Sequence, residues 1–188
     1  MRLLIRNWLW LALGLAPLFA VLSIFVSDWP RSVLFAYLLT PAYMLHQIEE
    51  HWRDRFRLFV NQRVFNGFEA LTAASVFWIN VPVVWGINFG AFLSAVFGRF
   101  DLTLVAVYLM LVNAIVHTLG IVRFGYNPGL ITSLVVFFPL SLAAILFVPV
   151  ALPSHLFAVA LAVVGHALIF GYAVARVRRL KQQQQRSL

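Results

Sequence analysis

The chain has 188 residues, of which 63% are hydrophobic and 11% are charged, and its mean hydropathy is +0.92. A soluble domain is closer to half apolar and a quarter charged, so this balance argues against a soluble fold and favours a multi-pass helical membrane protein. The absence of cysteine excludes disulfides, thiolate nucleophiles and cysteine zinc sites. The net charge of +8 comes from arginines in short segments between apolar runs. We therefore expect these arginines to contact anionic lipid headgroups, and we expect no nucleic-acid partner.

Six apolar segments are long enough to cross a bilayer, which takes about 20 helical residues each. They are residues 8–27, 32–51, 67–96, 102–122, 128–150 and 154–177. The first segment is long for a signal peptide and has no Ala-x-Ala-like site before Asp28, so we expect a retained helix. The sequence leaves open whether the third is continuous through Pro82. The predicted fold is all-α, an integral membrane bundle of six transmembrane helices over residues 1–178, with a polar tail over 179–188.

The basic residues predict the orientation of this bundle. If both termini are cytoplasmic, 12 of the 14 basic residues fall in cytoplasmic segments, and only Arg31 and Arg99 fall outside. Short cytoplasmic loops of membrane proteins carry such an excess of arginine and lysine. The distribution therefore predicts cytoplasmic termini and an even number of spans.

The second segment ends in the run His46-Gln47-Ile48-Glu49-Glu50-His51. Ionisable groups at membrane depth are costly and by default indicate a functional site. At about 100° per residue, Glu50 lies about 40° and Glu49 about 60° from His46, so one helix face carries an imidazole between two carboxylates. His51 lies about 140° from His46 on the same count. We expect His51 and Asp54 to be interfacial residues that pair with nearby arginines.

Counting depth at about 1.5 Å per residue places polar groups of the later segments in the same cytoplasmic third of the bundle. They are Asn66 and Glu69 in the first turn of the third helix, Asn113 and His117 on one face of the fourth, Tyr126, Asn127 and Thr132 around the start of the fifth, and His166 in the sixth. If the second and fourth helices face each other, His117 joins the cluster around His46. Glu69 and His166 are the next candidates.

Such a cluster suits two kinds of chemistry. Imidazole and carboxylate ligands suit Zn²⁺ or Fe²⁺, with His46, Glu50 and His117 as ligands and Glu49 as general base for a bound water. The alternative is acid–base catalysis without a metal by Glu49, Glu50 and His46, because two adjacent carboxylates in a low dielectric do not both ionise easily.

The motif His46-x-x-Glu49-Glu50 in a small multi-pass chain resembles the HXXEE domain family of bacterial membrane proteins. Asn113-x-x-x-His117 and the segment Tyr126-Asn127-Pro128-Gly129-Leu130-x-Thr132 fit the later motifs of that family. The resemblance covers about residues 36–175. It implies a site that includes the motif residues and His117, and a bacterial inner (cytoplasmic) membrane location. The family is named for its motif, so the resemblance implies no particular activity.

Two better-understood groups resemble the motif only in part. Inverted zincins use His-x-x-Glu-His, but here an extra glutamate moves His51 off the face. Membrane proteases of prenylated proteins carry Glu-Glu-x-x-x-Arg, but Arg53 comes one position early and Arg55 one late. Their later His-x-x-x-Asn pair is reversed here. They remain an analogy of mechanism, in which a glutamate activates water inside a membrane cavity.

The leading hypothesis is a membrane-embedded, metal-dependent enzyme that hydrolyses or isomerises a lipid-soluble substrate near the cytoplasmic leaflet. Its expected partners are membrane lipids and a hydrophobic or amphiphilic small molecule. Three alternatives stay open: a small proton-coupled carrier, with a homodimer as one form; a glutamate-dependent intramembrane protease-like hydrolase; and a non-catalytic protein in which the cluster joins helices.

Overall fold

The computed structural model describes residues 1–187, and every regular element in this range is helical. We number the helices in chain order. They are α1 (Arg2–Val26), α2 (Arg31–His51), α3 (Arg55–Phe59, continued by a π-helical turn at Val60–Val64), α4 (Ala73–Val96), α5 (Asp101–Phe124), α6 (Leu130–Phe147) and α7 (Leu152–Arg186). The predicted all-α class is therefore confirmed.

Five of these helices, all except α2 and α3, are long and apolar enough to cross a membrane. Their outward faces carry large exposed apolar side chains such as Val122, Leu146 and Leu168. Such surfaces suit lipid, as expected of a membrane protein. Helix α2 has 21 residues but is not among the five. The polar residues of the motif lower its hydropathy, so the sixth span stays a prediction.

Helix α2 lies at the centre of the bundle. More than half of its residues are buried, and it packs against α1, α4, α5 and α6. Alanines at the helix crossings are fully buried, among them Ala36, Ala91, Ala106 and Ala144. Small residues let neighbouring helices approach closely in a membrane bundle. This packing places the end of α2, with its motif, among three other helices.

The third predicted span begins later than the sequence suggested. Asn66 and Gly67 have positive φ angles of 52° and 89°, and the helix starts only at Ala73, after a reciprocal cap between Thr72 and Ser75. The prediction that Asn66 and Glu69 occupy its first turn is therefore wrong. Asparagine and glycine favour this left-handed conformation, which breaks a helix.

Helix α4 is continuous through Pro82. A π-helical segment at Ile79–Trp85 surrounds the proline. A wider turn accommodates a residue that lacks the N–H donor and crowds the preceding turn. The question that the sequence left open at Pro82 is answered by this local change of helix type.

The chain reverses sharply after α2. Arg53 and Asp54 both have left-handed backbone angles, with φ of 56° and 63°. The guanidinium of Arg57 binds the Asp54 carboxylate, and Arg55 donates to the main-chain oxygen of Glu49 at 2.8 Å. The Asp54 hydrogen bond raises the pKa of Arg57. The expected pairing of Asp54 with an arginine is confirmed.

Candidate metal centre

Two histidines and one glutamate from α2 and α5 meet inside the bundle. Oε1 of Glu50 lies 3.3 Å from Nε2 of His117, and Oε2 of Glu50 lies 3.8 Å from Nε2 of His46. One potential ligand atom from each residue lies within 4.8 Å of the other two, and all three residues are buried. The structure thus brings together the three residues that the sequence suggested as metal ligands, and this group could hold a metal ion.

The second ring nitrogen of His117 is held by Asn127. Nδ1 of His117 lies 2.6 Å from Oδ1 of Asn127, and Nδ2 of Asn127 donates to the main-chain oxygen of His117 at 2.9 Å. The second bond fixes the orientation of the amide, so its oxygen faces the ring. Because an amide oxygen only accepts, Nδ1 of His117 carries the proton. In the neutral ring, Nε2 then presents a lone pair to Glu50.

In His46, too, an oxygen atom of a neighbouring side chain holds the Nδ1 atom of the ring. Its Nδ1 lies 2.8 Å from Oγ1 of Thr132, and that hydroxyl donates to Oε2 of Glu49 at 2.6 Å. A hydroxyl has one proton to give, so it accepts from His46. The network therefore assigns the proton of His46 to Nδ1, and Nε2 carries the lone pair.

When both rings are neutral, the two Nε2 atoms and the Glu50 carboxylate are therefore all hydrogen-bond acceptors that face one another. Nε2 of His46 is buried and has no hydrogen-bond partner in the described chain. Leaving a buried polar atom unpaired costs about 1–3 kcal/mol. A metal cation or a shared proton between the two Nε2 atoms and the Glu50 carboxylate removes this cost.

Glu49 points to a different part of the structure, the start of α6. Its carboxylate accepts the backbone N–H groups of Ile131 at 3.1 Å and Thr132 at 2.7 Å, as well as the Thr132 hydroxyl. Tyr126 donates its hydroxyl to the same carboxylate at 3.2 Å. Burial and the nearby Glu49 carboxylate raise the pKa of Tyr126, which keeps it a donor. Glu49 therefore caps α6 and fixes it to α2.

Gly129 brings the backbone directly against the cluster. Its φ angle is +96°, and a Cβ atom at this position would lie 2.7 Å from Cε1 of His46 and 2.8 Å from Cε1 of His117. Real Cβ atoms do not approach other atoms so closely. Only glycine satisfies both the backbone angle and the lack of space.

His51 belongs to the cluster, so the prediction that it lies apart is wrong. Its Nε2 lies 3.0 Å from Oε2 of Glu50, and its side chain is buried against the edge of Trp8, with ring centroids 5.2 Å apart. His51 is the last residue of α2, where the backbone leaves helical geometry at φ −105° and ψ 0°. Counting helical angles does not hold at such a terminus.

Three secondary candidates lie outside the cluster. Glu69 pairs with Arg176 at 2.8 Å and lies 3.7 Å from Arg57. His166 bonds to the main-chain oxygen of Ala162, one turn earlier in α7, at 2.8 Å. Asn113 is half-buried on α5 and takes no part in the hydrogen bonds described above. Tyr126 and Asn127, by contrast, are both brought to the site.

The sequence placed Thr132 near the site but did not predict that it orients His46, and it did not single out Gly129. Both lie in the segment that carried the family resemblance, which was the available signal. Gln47 was also missed, although it is fully buried and accepts a 2.6 Å bond from Nε1 of Trp85. Its amide donates to Oδ1 of Asn80 at 3.0 Å and so ties α2 to the π-helical part of α4.

Fold and site together define a helical protein with five helices long and apolar enough to cross a membrane and a buried His–Glu–His cluster that could hold a metal ion. The family described as "protein of unknown function with HXXEE motif" matches residues 37–144, more than half of the chain. The chain therefore belongs to the HXXEE family. The matched region contains the motif, His117 and the segment from Tyr126 to Thr132. Searches of curated proteins and of solved structures found no match.

Proposed function

We propose that this protein is a membrane-embedded, metal-dependent enzyme that acts on a lipid-soluble substrate. His46, Glu50 and His117 hold a divalent cation, and the reaction is a hydrolysis or a proton-transfer isomerisation. The observation that carries the proposal is the orientation of both rings, since Thr132 and Asn127 each fix the proton on Nδ1 and leave Nε2 facing Glu50.

This hydrogen-bond pattern is typical of metal sites. A metal-bound histidine nearly always donates its other N–H group to an oxygen acceptor, which sets the tautomer and the direction of the ring. Two imidazoles and one carboxylate suit Zn²⁺ or Fe²⁺. In a tetrahedral zinc site with bonds of about 2.0–2.1 Å, ligand atoms lie about 3.3 Å apart. One Glu50 oxygen lies 3.3 Å from Nε2 of His117 and the other lies 3.8 Å from Nε2 of His46, and one potential ligand atom from each residue lies within 4.8 Å of the other two.

Such a metal would polarise a substrate carbonyl or lower the pKa of a bound water. Three protein ligands leave a position free for water or substrate, as in catalytic zinc sites. Because the carboxylate oxygens of Glu49 are engaged by Thr132, Ile131 and Tyr126, we assign Glu49 a positioning role in place of general base.

The proposed enzyme has six spans with both termini in the cytoplasm of a bacterium, and its site lies near the cytoplasmic leaflet of the inner membrane. The basic residues support this orientation, since 12 of 14 then lie on the cytoplasmic side. Helix α2 crosses as the central helix. The neighbouring helices shield the polar residues of α2 from lipid. The low hydropathy of α2 therefore does not prevent it from crossing the membrane.

Metal analysis of purified full-length protein tests the proposal. We expect about one zinc or iron per chain in the wild type, and loss of that metal in Glu50→Gln and His117→Ala. The matched controls are Glu69→Gln and His166→Ala. They alter the same residue types at positions that are not among the three proposed ligands, and they should keep the metal. Wild-type protein without stoichiometric metal would overturn the metal-dependent form of the proposal.

Activity is tested in proteoliposomes made with a total bacterial lipid extract. Mass spectrometry should detect a lipid-soluble species that wild-type protein converts and that Glu50→Gln leaves unchanged. Identical profiles for metal-loaded wild type and Glu50→Gln would contradict an enzymatic role on membrane lipids and favour a structural role for the cluster.

A further inference from the structure

A cavity of about 520 Å³ lies beside the cluster, between α1, the start of α4 and the turn that follows α2. Small-molecule sites typically measure about 300–1,000 Å³. The cavity is therefore large enough for a ligand.

Part of the cavity lining is aromatic. Trp8 and Trp10 of α1 line it together with Trp52 at the end of α2, and aliphatic side chains such as Leu13 and Val76 complete the wall. The rings of Trp10 and Trp52 meet edge to face at 6.0 Å. Tryptophan and leucine side chains offer a surface for a hydrocarbon chain.

The cavity lining also carries positive charge. Arg6 and Arg53 line the cavity, and neither forms an ion pair within residues 1–187. Asp54 is the acidic residue of the lining, but Arg57 already binds its carboxylate. Guanidinium groups pair well with carboxylates and phosphates, often through two hydrogen bonds. The lining therefore has a net positive charge.

His51 connects the cavity to the cluster. It forms part of the cavity wall, and its Nε2 lies 3.0 Å from Oε2 of Glu50. Its side chain thus separates a ligand in the cavity from the proposed metal ligands.

We propose that this cavity binds an amphiphile with a carboxylate or phosphate headgroup and a hydrocarbon chain. The headgroup pairs with Arg6 and Arg53, and the chain packs against Trp8, Trp10 and Trp52. That this ligand is the substrate rests on the function proposed above. Binding itself depends only on the cavity.

Bromine quenches tryptophan fluorescence on contact, so 12-bromododecanoate is a direct probe of a cavity lined by tryptophans. Full-length protein in neutral detergent is titrated with this probe and with a brominated dodecyltrimethylammonium salt. We expect saturable quenching by the anion at a concentration at least about tenfold lower than by the cation. Dodecyl phosphate should compete with the anion, and dodecyl maltoside should not. Equal quenching by both probes would overturn the proposal.

Paired variants separate local from general charge effects. Arg6→Gln with Arg53→Gln should raise the half-saturating concentration of 12-bromododecanoate by about tenfold or more. Arg63→Gln with Arg178→Gln removes the same charge from exposed positions outside the cavity and should leave it unchanged. Arg6→Gln alone, which does not alter the turn at Arg53, should give an intermediate shift. Equal titrations for all variants would contradict the assignment of the headgroup.

The same titration distinguishes this inference from the proposed function. Chelator-treated wild type and Glu50→Gln should still bind 12-bromododecanoate, because the arginines are untouched. If the protein binds 12-bromododecanoate but never contains metal, the cavity ligand is supported and the metal site is contradicted. A metal-containing protein without selective anion binding would give the opposite result.

Discussion

Gly129 shows how closely the site depends on one residue. Its backbone lies where any side chain would strike both histidine rings, at 2.7 Å and 2.8 Å. The glycine also supplies the positive φ angle at which α6 begins. One position therefore sets both the start of a helix and the size of the proposed metal site.

Gly129→Ala should abolish metal binding and lower the melting temperature, because His46 and His117 must move apart. Gly67→Ala is the matched control, since its φ of +89° is similar but nothing lies within 4 Å of the added Cβ. We expect the control to lose only about 1–2 kcal/mol from backbone strain and to keep its metal. Metal content and thermal unfolding measure both effects. Full metal content in Gly129→Ala would contradict the close packing of Gly129 against the rings of His46 and His117.

Some residue-level features were readable from the sequence and others were not. His46, Glu50 and His117 could be placed at one depth because helical spacing is regular. His51 could not, since the backbone departs from helical angles at the residue itself. The tautomers could not be predicted either, because they depend on Thr132 and Asn127 from a separate turn.

At the level of elements, α6 is attached to α2 through the Glu49 carboxylate. This single group accepts bonds from the first turn of α6 and from Tyr126. Anionic groups at a helix N-terminus are favourable. These hydrogen bonds between Glu49 and α6 position Thr132, and Thr132 in turn orients the ring of His46.

Glu49→Gln should destabilise the protein by about 2 kcal/mol, since a neutral amide loses charge-assisted bonds to α6. Glu69→Gln should cost less than about 1 kcal/mol, because its pairing with Arg176 is largely exposed. Thermal or denaturant unfolding of both variants in the same detergent compares them. An equal loss of stability in the two would argue against the capping role of Glu49.

Helix positions were largely predictable, because long apolar segments follow from composition. The start of α4 was not, since the local turn at Asn66 and Gly67 and the cap at Thr72 delay the helix within an apolar sequence. The short helix α3, between the second and third predicted spans, was not predicted from the sequence either. Local backbone preferences decided both cases.

For the whole molecule, the natural absence of cysteine makes the topology directly measurable. Ser27→Cys should react with a membrane-impermeant maleimide added outside sealed cells, whereas Ser187→Cys should react only after permeabilisation. This follows from the orientation in which most arginines are cytoplasmic. The opposite pattern, or labelling of both positions from outside, would refute the proposed six-span orientation.

X-ray absorption at the edge of the bound metal measures directly which atoms surround the proposed cation. We expect wild-type protein to show two imidazole ligands and a carboxylate at about 2.0–2.2 Å. His117→Ala should show one imidazole or no metal, while His166→Ala should match the wild type. A wild-type protein without metal, or with a metal whose spectrum is unchanged in His117→Ala, would show that His46, Glu50 and His117 do not hold a cation.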